Sequence, residues 1–439
     1  MNQIQTLTQA EFKRQRDTLN LIASENYPSP AVLELLGSVW SNKYGEGYPG
    51  KRYYAGNENT DQLETLTQNL ALEVFDKTGE YGVNVQVLSG TPANAMVYLS
   101  VLEYGDTVLS LNLDNGGHIS HMHSSSRWLK FFKLANYDVK EVGVNTFEID
   151  VEDFEDKIKE VKPKLVIIGC SGYPRKYEFA QMCQIAHKYG CLVLADIAHI
   201  NGLVAAGLHD TPFKKGLDGA DFISMTTHKT FRGPRAAMLF AKNYIPDFAK
   251  LSDFELAAGT KGKVLNSLIE VINRTVFPGN SGGPHFNKIA AIGQACMEIL
   301  GKDNYPDNLS FTDYSLKVLE TSKALENAMG NSGLTVISPT ENHLSLVKLP
   351  DEMDSLKIQN DLEEIGVITN RNKIPFDTKT PWKPSGLRLG TAALTSRGLN
   401  IAQAEVLGEI IADLIFERKN KDVLASTVKQ IVAELNWYY

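Results

Sequence analysis

CLVLADIAHINGLVAAGLHD (191–210) and DGADFISMTTHKTFRGPRAAMLF (218–240) decide the fold of this chain. Each contains a short apolar run, CLVLADIA in the first and DFISM in the second, that reads as a buried strand. Each run closes on a polar cluster. Asp196 and His199 follow the first; Thr226, Thr227, His228 and Lys229 follow the second. In an open α/β sheet, ligands sit beyond the carboxyl ends of the strands, so an acid, two histidines and a lysine there point to chemistry. The lysine and the acid suit pyridoxal phosphate. That cofactor needs an amine to hold its aldehyde as a Schiff base and an acid to keep its pyridine nitrogen protonated. Taken singly, such a lysine is usually solvated and such an aspartate usually caps a helix.

Working outward, PKLVIIGC (163–170) is another strand with SGYPRKYEF at its end, and AQMCQIAHKYG (180–190) is the helix that leads into Cys191. Upstream, VNVQVLSGTPANAMVYLSVLEYGDTVL (83–109) reads as strand, turn, helix, turn and strand. This alternation implies a mainly parallel sheet. Ser89, Gly90 and Thr91 stand just before the helix, where backbone N–H groups and hydroxyls can cradle a phosphate. Pro92 suits the first turn; the plainer alternative is a capped helix start that binds nothing. Further on, 310–333 reads as a long helix ending at glycine, which crosses into a smaller C-terminal unit. There HLSLVKL (343–349) reads as a strand and DSLKIQNDLEEIG (354–366) as a helix. The tail, 401–439, reads as a long amphipathic helix and a second short one, and residues 3–19 as a short polar-amphipathic helix.

Composition narrows the function classes. The chain has 439 residues, 43% apolar and 22% charged, enough for a sizeable core and more than one domain. A net charge of −8 argues against a general nucleic-acid or anionic-membrane surface. Cys170, Cys183, Cys191 and Cys296 form no CxxC pair, so a reducing compartment is expected. With no apolar leader at the N-terminus and no run of transmembrane length, the cytoplasm is the expected location.

Four further stretches carry chemistry-bearing residues. Residues 41–59 combine Tyr44, Tyr53 and Tyr54 with Glu46 and several glycines. They read either as a loop packed by its tyrosines or as an active-site loop able to move protons. His118, His121 and His123 fall within six residues, with Asp114 as the local carboxylate. No ligand set for a metal is specified there, and a ring stacked on a planar cofactor is the alternative, His118 being preferred. Arg388 in SGLRLGT (385–391) is either a surface strand arginine with a snorkelling stem or a two-pronged partner for a carboxylate. FPGNSGGP (277–284) is a glycine-rich anion-nest candidate.

IASENY (22–27), NKYGEGYPGKRYY (42–54), DTVLSLNLDNGGH (106–118), DIAHINGLVAAG (196–207), TTHKTFRGPR (226–235), FPGNSGGP and SGLRLGT stand in an order that resembles the serine hydroxymethyltransferase family. The resemblance covers nearly the whole chain. It implies the fold-type I, aspartate-aminotransferase-like α/β architecture of pyridoxal phosphate enzymes: a large domain with a mainly parallel seven-stranded sheet and a smaller α+β C-terminal domain. The expected division is 1–45 for an N-terminal arm and helices, 46–300 for the cofactor domain and 301–439 for the small domain. The implied reaction converts L-serine and tetrahydrofolate reversibly to glycine and 5,10-methylenetetrahydrofolate.

Matched position by position, the resemblance implies that Lys229 carries the cofactor, Asp196 pairs with its pyridine nitrogen and His118 stacks on its ring. Ser171 and His199 would lie near its phenolic oxygen, with Thr226 in the catalytic group. Ser89, Gly90, Thr91 and His228 would hold the phosphate, and Tyr44, Gly282 and Gly283 would reach the cofactor of a neighbouring subunit. Arg388 and Ser24 would grip the amino-acid carboxylate. Glu46 would handle protons at the substrate hydroxyl and folate, assisted by Tyr54, while Tyr53, Leu113, Gly117 and Asn372 would line the folate side. A homodimer with shared sites, or a tetramer, follows. No metal, nucleic acid or membrane is implied.

The chain departs from the family's pattern in four places. SGTPAN replaces the usual SGSQAN, the segment SRWLKFF (126–132) is altered, Ala55 stands where glycine is usual, and 247–275 is longer than in common bacterial members. These changes bear on the folate side more than on the amino-acid chemistry. The alternative function is a folate-independent β-hydroxy-amino-acid aldolase or transaldolase, acting on threonine or α-methylserine with the same lysine and arginine.

Overall fold

The computed structural model describes residues 2–249, 251–252 and 264–439. Its main sheet comprises β1 (Tyr81–Asn84), β2 (Thr107–Leu111), β3 (Lys133–Tyr137), β4 (Leu165–Gly169), β5 (Leu192–Asp196), β6 (Phe222–Thr226) and β7 (Ala237–Lys242). Their spatial order is β1-β7-β6-β5-β4-β2-β3. β7 runs antiparallel to both of its neighbours, β6 and β1, while the other strand pairs of the sheet are parallel. This is the fold-type I α/β architecture expected from the sequence.

The two deciding runs form the centre of that sheet because both of their faces are apolar, and both faces are covered. Strand side chains alternate between faces. Val193, Ala195 and Ile223 pack in one core with Phe179, Met182, Cys183 and Ala186 of the helix Phe179–Lys188. Leu192, Leu194 and Phe222 pack in another with Val97, Tyr98 and Val101 of the helix Gly90–Val101. Register then fixes the site. Asp196 lies opposite Gly169 on one side and Ser224 on the other, so β4, β5 and β6 end almost level. Lys229 follows the end of β6 by three residues.

A second, antiparallel sheet is built from β8 (Thr335–Ile337), β9 (Leu344–Lys348), β10 (Asn370–Asn372) and β11 (Gly386–Gly390), in the order β8-β9-β11-β10. Its core includes Val347, Leu387 and Leu389, the helix Phe311–Asn331 and the helix Ile401–Ile415. Leu19 and Leu21 belong to the same core, and Leu19–Asn20 pairs in parallel with Val367–Ile368.

Several local expectations change. The final helix, Lys421–Glu434, has 14 residues and is not short beside the 15 of Ile401–Ile415; Leu424, Val428 and Ile431 bury one face of it. The first helix, Gln3–Asp17, buries no residue. The strand expected from Val83 stops at Asn84, whose side-chain oxygen accepts from Gln86 N–H and turns the chain away. All four cysteines are buried and unpaired. Of the long segment 247–275, residues 250 and 253–263 lie outside the described residues. Among the described residues no helix is long and apolar enough to cross a membrane.

Candidate active site

The level strand ends open on a cavity of about 290 Å³. Ser24, Ser89, Gly90, Thr91, His118, Asp196, His199, Thr226, His228 and Lys229 all line it. Ten positions scattered over the first 229 residues thus meet in one place.

Asp196 is the electrostatic centre. Its Oδ2 accepts from Asn94 Nδ2 at 2.8 Å and pairs with His121 Nε2 at 2.9 Å, and its Oδ1 accepts from Ala198 N–H at 3.0 Å. Burial opposes its charge, but the His121 hydrogen bond, the neighbouring histidines and Asn94 outweigh it and hold the carboxyl well below the usual carboxylate range. Asn94 is itself fixed, donating to Ser120 Oγ and accepting from Ser224 Oγ.

Lys229 is 7% exposed. Burial pushes its ammonium down to about 8; Asp196 opposes that shift and Arg388 adds to it. A lowered ammonium pKa enlarges the fraction of neutral amine, the form that Schiff-base chemistry needs. His118 is pushed down to about 4, first by burial. Its Nδ1 accepts from Ser120 N–H at 3.1 Å and pairs with Ser120 Oγ at 2.7 Å, which leaves the neutral ring's proton on Nε2. His199 Nδ1 lies 3.2 Å from His343 Nε2, and the two rings stack at 5.4 Å. Burial holds both well below the usual histidine range.

At the other end of the cavity, Ser89 starts the helix Gly90–Val101 without capping it through its side chain. Gly90 is required by close approach: a Cβ there would stand 2.7 Å from Thr226 Cγ2. Buried His228 Nδ1 has no hydrogen-bond partner, and burial pushes this histidine down to about 3. A helix N-terminus, hydroxyls and an unpartnered imidazole nitrogen form a donor set that fits a phosphate.

Arg388, on β11, is pushed down to about 10 by burial. Its Nη1 donates to Ser171 O at 2.6 Å and its Nε to Asn370 Oδ1 at 3.2 Å. The remaining N–H groups have no protein partner among the described residues. It is therefore no surface arginine. Ser171 Oγ donates to Gly117 O at 2.9 Å, and Gly172 lies against Asn372, where a Cβ would stand 3.2 Å from Asn372 Nδ2. Leu113 begins the turn that leads to Gly116, whose carbonyl accepts from both Ser171 and Gly172 N–H. Leu113, Gly117 and Asn372 are thus linked through the Gly116–Gly172 contact, and none of them is among the residues lining the cavity.

Tyr44, Glu46, Gly282 and Gly283 come together elsewhere. Tyr44 Oη donates to Glu46 Oε1 at 2.8 Å, which raises the phenol above its usual range. A Cβ on Gly283 would stand 2.6 Å from the Tyr44 ring, so only glycine admits this contact. Tyr54 packs edge-on against Tyr44 at 5.3 Å, and Tyr53 against Phe277 at 5.8 Å. This cluster does not line the cavity. It is nonetheless firmly held. Buried Arg52, in the hairpin Gly47–Tyr48/Lys51–Arg52, binds Asp61 at 2.8 Å and fully buried Glu64 at 2.5 Å.

The serine hydroxymethyltransferase family model matches residues 1–411. The chain is also 39% identical over 433 residues to a serine hydroxymethyltransferase of Desulfotalea psychrophila, a match covering 98% of this chain and 92% of that one. The chain belongs to the serine hydroxymethyltransferase family. It is a pyridoxal phosphate enzyme of glycine hydroxymethyl transfer, with tetrahydrofolate as co-substrate.

Some residues in the cavity wall or directly behind it escaped sequence reasoning. His121 was visible only as one of three clustered histidines, a pattern that raised the question of a metal; among the described residues no metal-holding group occurs. Asn94 lies inside the quoted SGTPAN. Cys170 and Arg235 also line the cavity. His343 had no local signal, because its partner stands 144 residues away.

Proposed function

We propose that this chain performs serine–glycine hydroxymethyl transfer with the residue roles that follow. The observation that carries the assignment is the shared cavity of Lys229 and Asp196, one a depressed amine and the other a secured carboxylate. When bound, pyridoxal phosphate supplies an electron sink for the bond that breaks at the amino acid's α-carbon.

Lys229 holds the cofactor's aldehyde. Asp196 holds a proton on its pyridine nitrogen, and His121 and Asn94 keep that carboxylate charged. His118 would stack on the ring and Ser171 and His199 would lie near its phenolic oxygen, with Thr226 in the catalytic group. Ser89, Gly90, Thr91 and His228 hold the phosphate, with Arg235 beside them. The open N–H groups of Arg388, with Ser24, bind the substrate carboxylate and orient the breaking bond. Glu46 and Tyr54 move protons at the substrate hydroxyl and folate. Tyr53, Leu113, Gly117 and Asn372 line the folate side.

That Tyr44, Glu46, Gly282 and Gly283 come together without lining this chain's own cavity supports a homodimer in which they complete the neighbour's site. A tetramer of two such dimers is the larger form. The two cores support a division into 1–45, 46–300 and 301–439, with Leu19 and Leu21 tying the first segment to the last. The absence of paired cysteines supports a cytoplasmic location.

Purified protein loaded with pyridoxal phosphate should convert serine to glycine at a rate stimulated by tetrahydrofolate. Cleavage of threonine without any folate stimulation on serine would establish the aldolase alternative.

A further inference from the structure

We propose that Asn26 is a positioning residue that sets Lys229 in register with Arg388. The inference rests on the roles given above for that lysine and that arginine. The Asn26 side chain spends all of its hydrogen-bonding groups on three separate parts of the chain. Its Nδ2 donates to Lys229 O at 2.8 Å and to Tyr314 Oη at 2.8 Å. Its Oδ1 accepts from Ser396 Oγ at 2.7 Å and from Tyr27 N–H at 2.8 Å. Two donated and two accepted bonds are the full capacity of a carboxamide.

The Lys229 backbone needs this support. Lys229 O also accepts from Arg232 N–H at 3.0 Å, and Arg232 has a left-handed φ of 63°. That conformation is costly for a residue other than glycine unless its surroundings impose it. The Arg232 guanidinium lies over Tyr305 at 3.6 Å and over Tyr314 at 4.1 Å. Asn26 and Arg232 therefore meet at Tyr314, and both hold the same carbonyl. On the sheet side, Thr230 Oγ1 lies 2.9 Å from His199 O and accepts from Gly202 N–H at 3.0 Å. The lysine's backbone is thus gripped from the large sheet through Thr230 and from the other core through Asn26.

Ser396 gives the second grip its meaning. It ends the helix Ala392–Ser396, which follows directly on β11, the strand of Arg388. The segment that carries Asn26 is also sewn to β11 through Gly390 N–H to Leu21 O at 2.8 Å, and it carries Ser24 into the cavity. One amino-acid substrate must reach Lys229 with its nitrogen and Arg388 with its carboxylate. Asn26 is the side chain that bonds directly to the backbone of the first and to the element behind the second. Small errors in such registration are costly to rate, because reacting groups must meet in a narrow geometry.

The test uses the holoenzyme and three variants. Asn26→Asp keeps the shape and the acceptor but removes both donors. It should weaken glycine binding, read by spectral titration, about tenfold and lower kcat/KM for serine by a similar factor. Pyridoxal phosphate affinity should change less than threefold. Ser396→Ala cuts only the link to β11 and should give a smaller loss, about threefold, in glycine affinity; it carries the test if Asn26→Asp does not fold. Glycine affinity and kcat/KM within twofold of the parent in the folded variant overturn the proposal. So does a parallel fall in cofactor affinity, glycine affinity and melting temperature, which would make Asn26 a general structural bolt. Lys229→Ala reports separately on the parent reading: if it retains the absorbance of lysine-bound cofactor, the assignment of Lys229 fails whatever Asn26 does.

Discussion

The cavity around Asp196 and the cluster around Glu46 are built in opposite ways. The first is a buried pocket at level strand ends, where burial moves Lys229, His118, His199 and His228 far from their ordinary ionisation. The second is a wet surface cluster, with Tyr44 52% exposed, Tyr53 75% and Tyr54 48%. Its phenols and carboxylate hold one another in place, yet they do not line the cavity of Lys229 and Asp196. Cofactor electronics demand a low-dielectric site with fixed charges. Proton traffic to a substrate hydroxyl demands groups that a second surface can complete. In the proposed dimer, one chain would carry two half-sites, each completed by a copy of the other.

Lys229→Ala breaks the first half most severely. Serine turnover should fall by about four orders of magnitude, and the visible absorbance of lysine-bound cofactor should disappear. Glu46→Gln breaks the second half. It should lower folate-dependent serine turnover by about two to three orders of magnitude, as for loss of a general acid–base group, and leave cofactor absorbance intact. Mixing the two variants sharpens the comparison. Hybrid dimers hold one site with both wild-type halves, so an equimolar re-associated mixture should recover about a quarter of parental activity by random pairing. No recovery would place Glu46 and Lys229 in the same subunit's site.

The two halves were also unequally legible in the sequence. Asp196 and Lys229 stand at the ends of apolar runs, and strand periodicity alone predicts that such ends gather on one edge of a sheet. The resemblance then supplied the remaining roles. What no local pattern encodes is pairing across long separations. His121 meets Asp196 from 75 residues away, and Asn26 meets Lys229 from 203. Each looks like an ordinary polar residue until the sheet order and the second core bring its partner close. The tyrosines of 41–59 announced a packed loop, but Arg52, which anchors that loop through buried Glu64, looked like any basic residue in a turn.

Arg388→Lys makes a finer cut, within the half that holds Lys229. A lysine keeps the charge but loses the planar fork, and it cannot serve Ser171 O, Asn370 and a carboxylate together. The KM for serine should rise about a hundredfold, with a smaller fall in kcat, as binding and orientation are lost together. A KM within twofold of the parent would show that the carboxylate is held elsewhere.

The smallest effect concerns stability, and it separates the buried lysine from every exposed one. In the apoprotein, burial depresses Lys229 to about 8, below the ordinary lysine value of 10.5. The unfolded chain then binds the extra proton throughout that interval, so stability must rise with pH across it. The favourable contribution is complete above the ordinary lysine value and is lost as pH falls through about 8. Lys229→Met keeps the volume and removes the titration. Subtracting its unfolding free energy, measured by denaturant titration at each pH, from that of the apoprotein cancels the other titrating groups. The difference should be most negative below pH about 8, where the parent buries an ammonium, and should shrink toward zero as pH rises through the window, a swing of at most about 3 kcal/mol. A pH-independent difference would mean that Lys229 titrates like the solvated lysines of the surface, and that the cavity lacks the low dielectric on which its half of the comparison depends.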